Sequence, residues 1–147
     1  ATKEEMEAVL QKVNLLGFLQ TQNGLQTELL EKAGNLSGGQ CQRLVIARAL
    51  LRSDSAVYIF DEAASNIDVE SEEMIMNVIH ELAKTKTVLL ISHRLANVVQ
   101  SDQIYFLKNG TICERGTHAE LMEQNGAYRH LYDSQMVLEN YGKQGNA

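Results

Sequence analysis

Residues 56–60, Ala-Val-Tyr-Ile-Phe, are an unbroken apolar run without alternation, and a second such run over residues 87–91 follows one stretch of helical periodicity. Runs of this kind suit strands covered on both faces of a parallel sheet. Between them, Asp68 can cap a helix with an acidic first turn (Glu70, Glu72, Glu73), a core face of Ile75, Val78, Ile79 and Leu82, and Lys84 and Lys86 at its end. Strand, crossover helix and strand predict a βαβ unit, right-handed by the general rule for parallel crossovers. The chain is therefore read as α/β.

In such folds the carboxyl ends of the strands open onto the ligand crevice. This chain places Asp61 and Glu62 at the first strand end and His93 just past the second. Asp61 suits a carboxylate that holds Mg²⁺ directly or through water, and Glu62 can point toward a water aimed at a γ-phosphate. His93 could hydrogen-bond the transferring phosphate or that water. Taken singly these signals are weak, because acidic pairs also open loops as solvated or capping groups and a lone histidine at a strand end is more often structural.

Upstream, Leu36-Ser37-Gly38-Gly39-Gln40 begins a helix predicted to run from about Gly38 to Leu51. Ser37-x-x-Gln40 is a capping box, and Leu44, Ile46, Ala47 and Leu50 form its buried stripe. A Gly-Gly pair just inside a helix N-terminus leaves backbone N–H groups uncovered at the positive end of the helix dipole, where phosphate oxygens bind. The Ser37 hydroxyl adds a donor. An isolated Ser-Gly-Gly-Gln would ordinarily be no more than a capped helix after a turn.

The remaining segments are simpler. Thr2 and Glu5 cap a short amphipathic helix over residues 3–13, and the polar stretch from Gly17 to Gly34 reads as a loop with one helical turn around Thr27 to Lys32. Strands over residues 104–108 and 111–115 flank Asn109-Gly110, a strong hairpin signal. Thr117-x-x-Glu120 caps a helix ending near Asn125-Gly126, and a last helix runs from about Ala127 to Asn140.

It is the order of the motifs that is specific. Leu36 to Gln40 with Gln42-Arg43, then Val57 to Glu62, then Ser65-Asn66-Ile67-Asp68, then Ile91-Ser92-His93-Arg94, closely resembles the nucleotide-binding domain of ABC transporters. The resemblance covers nearly the whole chain. It implies a RecA-like P-loop NTPase fold, incomplete here: residues 1–36 as a remnant of the helical subdomain and signature-loop approach, 37–140 as the C-terminal part of the ATPase core, and 141–147 as a polar tail. It further implies that Ser37, Gly38, Gly39 and Gln40 form the signature motif, that Asp61 ends the Walker B strand and holds the metal, and that Glu62 is the catalytic glutamate. Ser65 to Asp68 would be the D-loop, with Asp68 at the nucleotide, and His93 the switch histidine. Ser92-His93-Arg94-Leu95 and Gly116-Thr117-His118 look more like exporter cassettes than importer subunits. Cys41, Ala63, Ala64 and Asn66-Ile67 depart from common family choices without removing a group assigned to chemistry.

ATP and Mg²⁺ are the implied ligands. The implied partners are a second cassette, identical or different, and the transmembrane domain of the same transporter. The implied location is the cytoplasmic face of the membrane. In the family two cassettes pair head to tail, each signature motif facing the partner's nucleotide. ABC-type ATPases of DNA repair and chromosome organisation share the signature logic, but the net charge of -6 and the interleaving of Lys and Arg with acids argue against a nucleic-acid groove. Cys41 and Cys113 match no metal-ligand spacing and read as plain thiols in a reducing setting. The longest apolar runs are five or six residues, short of a membrane span.

No Gly-x-x-x-x-Gly-Lys-Ser/Thr loop occurs in the sequence, and the chain opens on Ala1 without a basic or apolar leader. The expectation is a piece of a longer cassette that does not hydrolyse ATP alone. A strand edge left without its neighbour at residues 87–92 further predicts a marginal or self-associating fragment.

Overall fold

A computed structural model of the chain describes the backbone of residues 1–144 other than Ser53 and Asn66, and side chains as far as Glu139. The chain forms two compact units, Ala1–Ile91 and Ser92–Ala147.

In the first unit, α1 (Lys3–Lys12) starts at the expected capping box: the Thr2 hydroxyl accepts from the Glu5 N–H at 3.2 Å, and the Glu5 carboxylate accepts from the Thr2 N–H at 2.7 Å. Asn14, at φ 50°, turns the chain into a second helix, α2 (Leu16–Gln20), where a loop was expected. Packing explains the difference: Leu15 and Leu19 stand one helical turn apart, and both are buried in the core. The rest of the expected loop contains 3₁₀ turns at Gly24–Gln26 and Glu31–Ala33.

Next come α3 (Gly38–Leu50), β1 (Val57–Asp61), α4 (Val69–Ala83) and β2 (Thr87–Ile91). β1 and β2 pair in parallel from Val57 opposite Thr87 to Asp61 opposite Ile91, so the βαβ reading holds. Val13, Leu15, Ile75 and Ile79 are almost wholly buried. Each contributes about 1.5–3 kcal/mol of apolar burial. Tyr58, Phe60 and, less completely, Val88 and Leu90 pack into this core.

Coverage of the sheet departs from expectation. Val57 and Ile59 on β1 and Leu89 and Ile91 on β2 are 44–64 % exposed, so the alternate residues of both apolar strands face outward. Their composition suits a sheet with two covered faces, whereas the helices of this unit pack against one. Among the described residues each of these strands has a single sheet neighbour.

The second unit contains the expected hairpin, β3 (Ile104–Lys108) and β4 (Thr111–Gly116), turning at Asn109 (φ 52°) and Gly110 (φ 75°). Helix α5 (His118–Gln124) carries the Thr117–Glu120 capping box and ends on Asn125 in the left-handed region. α6 spans Ala127–Gln144, so its backbone continues four residues beyond the expected end at Asn140, and residues 145–147 lie outside the described residues. Leu121 and Tyr128 are fully buried here. The Glu114 carboxylate caps α6 with both oxygens, accepting from the N–H of Ala127 at 2.6 Å and of Tyr128 at 3.2 Å.

Candidate functional site

The Leu36-Ser37-Gly38-Gly39-Gln40 segment sits where its capping pattern puts it, at the N-terminus of α3. The Ser37 hydroxyl accepts from the Gln40 N–H at 3.2 Å and the Gln40 side-chain oxygen accepts from the Ser37 N–H at 2.8 Å. This box uses the Gln40 N–H and leaves those of Gly38 and Gly39 as the first-turn donors with no capping partner among the described residues. A hydroxyl that accepts an N–H still has its own proton to donate, so capping does not remove Ser37 as a phosphate ligand.

Arg43 braces the same turn. Its Nε donates to the Gly39 carbonyl at 3.3 Å, and Nη1 reaches both the Asn14 carbonyl and the Met74 sulfur at 3.3 Å. The guanidinium thus ties the start of α3 to the corner after α1 and to α4. In sequence, Arg43 enters only through the resemblance, beside Gln42, and its bridging role depends on packing across three elements.

Asp61 is exposed at the end of β1, and Glu62 follows immediately. The Glu62 backbone is unusual: φ is 52°, in the left-handed region that costs a residue with a side chain about 1–2 kcal/mol. Three hydrogen bonds hold it there. Its N–H donates to the Ile91 carbonyl at 3.0 Å, and its carbonyl accepts from the Ser65 N–H at 3.0 Å and the Ser65 hydroxyl at 2.8 Å. Backbone strain over-determined by its surroundings is concentrated at functional positions. No sequence pattern announces this conformation, because glutamate is not a residue that favours it.

Asp68 caps α4, accepting from the Ser71 N–H at 2.8 Å. That N–H, and next the Ser71 hydroxyl, hold its carboxyl below the ordinary aspartate range, with Arg43 a smaller influence in the same direction. The structure brings Asp68 close to the signature turn: a side chain at Gly39 would place its Cβ 3.2 Å from the Asp68 Oδ2. Asn66, in the middle of the matched D-loop, lies outside the described residues. His93 belongs to the second unit, where its carbonyl accepts from the Gln135 side-chain amide at 2.8 Å.

Among the described residues no three His, Cys, Asp or Glu side chains converge as a metal cage. The exposed Asp61 carboxylate at the end of β1 is a ligand of the kind that fits Mg²⁺, which is commonly held by one or two carboxylates together with substrate phosphates and water. Cys41 and Cys113 are free thiols, half-buried and exposed respectively.

Known proteins resemble this chain over most or all of its length. The ABC transporter family model matches residues 1–65. An uncharacterized ABC transporter ATP-binding protein of Haemophilus influenzae is 50% identical over 147 residues, all of this chain and 26% of that protein. An ATP-dependent lipid A-core flippase of Mannheimia succiniciproducens is 47% identical over 135 residues, 91% of this chain and 23% of that one. A solved bacterial Atm1-family ABC exporter with ATP bound superposes with a TM-score of 0.82 at 32% identity, over 92% of this chain and 24% of its own. The chain thus spans about a quarter of the length of the relatives it matches. By sequence and structure alike the chain is similar to the ATP-binding part of ABC transporters, exporters among them, and its mixed α/β architecture matches part of that domain's P-loop NTPase fold. Among the described residues no helix is long and apolar enough to cross a membrane.

Proposed function

We propose that this chain is the C-terminal part of the ATP-binding and ATP-hydrolysing cassette of an exporter, coupling ATP binding and hydrolysis to transport across a membrane. The observation that carries the reading is Glu62: a carboxylate-bearing residue whose N–H and carbonyl are held by two backbone hydrogen bonds and one from the Ser65 hydroxyl in a strained conformation, directly after Asp61 at the end of a parallel strand.

The roles follow from chemistry. The Glu62 carboxylate orients the attacking water and accepts its proton as the water oxygen bonds to the γ-phosphorus and the bond from that phosphorus to the β–γ bridging oxygen breaks, ADP leaving with the electron pair. Asp61 supplies the carboxylate ligand for Mg²⁺, which when bound would neutralise charge on the phosphate oxygens. His93 donates a hydrogen bond to the γ-phosphate. Ser37, Gly38, Gly39 and Gln40 act on a different nucleotide, the one held by a second cassette, through the Ser37 hydroxyl and the N–H groups of Gly38 and Gly39. Asp68 joins these two sets, since it caps α4 and lies beside Gly39.

The partners are a second cassette and the transmembrane domain of the same transporter, on the cytoplasmic face of the membrane. Alone, the 147-residue chain does not turn over ATP, because its sequence has no loop to cradle the phosphates. The acidic balance and the exporter relatives favour transport over an ATPase of DNA repair. The test adds the chain to a cassette that carries a P-loop and has its own signature disabled. Stimulated hydrolysis that disappears with Ser37→Arg is expected; no stimulation, or stimulation indifferent to that change, overturns the reading.

A further inference from the structure

Gly39 is buried in the first turn of α3, and its backbone is not in the left-handed region, so conformational freedom does not explain why the position is glycine. Space does. A Cβ at this position would overlap the Ser71 hydroxyl, lie 2.8 Å from the Ser71 Cβ and come within 3.2 Å of the Asp68 Oδ2. The first turn of α3 therefore rests directly on the first turn of α4, backbone against a small side chain.

We propose that Ser71 is a positioning residue for the signature turn, acting as the stop against which the Gly39 backbone is seated. Ser71 is itself well fixed: it is 5% exposed, and its N–H is committed to the Asp68 carboxylate at 2.8 Å. Arg43 clamps the turn through the Gly39 carbonyl and reaches Met74, the residue one turn along α4 from Ser71. The two uncapped N–H groups of Gly38 and Gly39 are thus set between a steric stop and a guanidinium brace. A shift of the α4 N-terminus, where Asp68 lies, is passed to those donors through contact.

The inference rests on the functional reading above and makes a different demand on Gly39. If Gly39 is glycine only so that a phosphate can approach, a methyl group there blocks the nucleotide whatever stands at position 71. If Ser71 is the stop, removing its side chain makes room for that methyl group.

The experiment uses the full-length polypeptide that carries this segment and compares wild type, Gly39→Ala, Ser71→Gly and the double variant, by Mg-ATP turnover and by thermal melting. Gly39→Ala is expected to lower turnover about tenfold or more and to lower the melting temperature, although the same change at an unhindered helical site raises stability. Adding Ser71→Gly should restore turnover to within about threefold of the Ser71→Gly single variant and recover the melting temperature. Additive losses in both measurements overturn the proposal. A wild type without turnover overturns the functional reading instead. The melting cycle then decides the seating: recovery in the double variant supports it, and additivity rejects it.

Discussion

Replacing Glu62 by glycine and, separately, by alanine isolates the backbone strain at the strand end. Both changes remove the carboxylate, so their difference reports only the conformation. At φ 52° a Cβ costs about 1–2 kcal/mol that glycine does not incur. Glycine in turn loses about 0.4–1 kcal/mol to alanine through the greater freedom of its unfolded chain. The balance favours Glu62→Gly by roughly 0–1.6 kcal/mol, centred near 0.8, or about 2–5 °C in melting temperature for a domain of this size. At an ordinary strand or helix position the sign is reversed, and alanine is the more stable. Paired melts followed by circular dichroism, with urea titrations to check that the slope is unchanged, give the difference directly. A Glu62→Ala chain more stable than Glu62→Gly by 0.5 kcal/mol or more would show that the residue is not held left-handed, and the strain argument would fail.

Removing the Glu114 carboxylate by Glu114→Ala uncaps α6 at Ala127 and Tyr128 and should cost about 1–2 kcal/mol, with faster hydrogen exchange at those two amides. Asp68 predicts a pH effect. Its carboxyl is held below the ordinary range, so its stabilising contribution is fully present above the unfolded value near pH 4 and is lost as pH falls through the lower folded value. Glu4, through its own N–H and then the Thr2 hydroxyl, and Glu120, through the Thr117 N–H and then its hydroxyl, are lowered too, so the test is the difference between wild type and Asp68→Asn: flat above about pH 5 and closing below pH 4 in acid-unfolding curves. The 147-residue chain, with Val57, Ile59, Leu89 and Ile91 outward on a two-stranded sheet, should sediment as an assembly or a broad distribution. A monodisperse monomer that melts cooperatively would contradict that expectation.

Local rules made much of this chain legible. The three capping boxes, at Thr2, Ser37 and Thr117, the Asp68 cap and the Asn109-Gly110 hairpin turn each depend on residues within a few positions of one another, and all occur as read. The capped Gly-Gly turn at the start of α3 and the acidic strand end were legible for the same reason. What escaped the sequence depends on contacts made across the fold. α2 forms because Leu15 and Leu19 find the core, and the outward face of the β1–β2 sheet is fixed by which helices reach it. The left-handed Glu62 is held by a carbonyl on the neighbouring strand, and the seating of Gly39 on Ser71 joins residues 32 positions apart. Periodicity carries no record of either.

In the proposed mechanism the Glu62 carboxylate, at its strained strand end, is the group that activates water. Steady-state Mg-ATP hydrolysis by the full-length polypeptide tests it through Glu62→Gln, which keeps size and backbone while removing the base. Turnover should fall about 10²–10⁴-fold with the melting temperature unchanged. A Glu62→Gln protein that hydrolyses ATP within a few-fold of wild type would contradict the account.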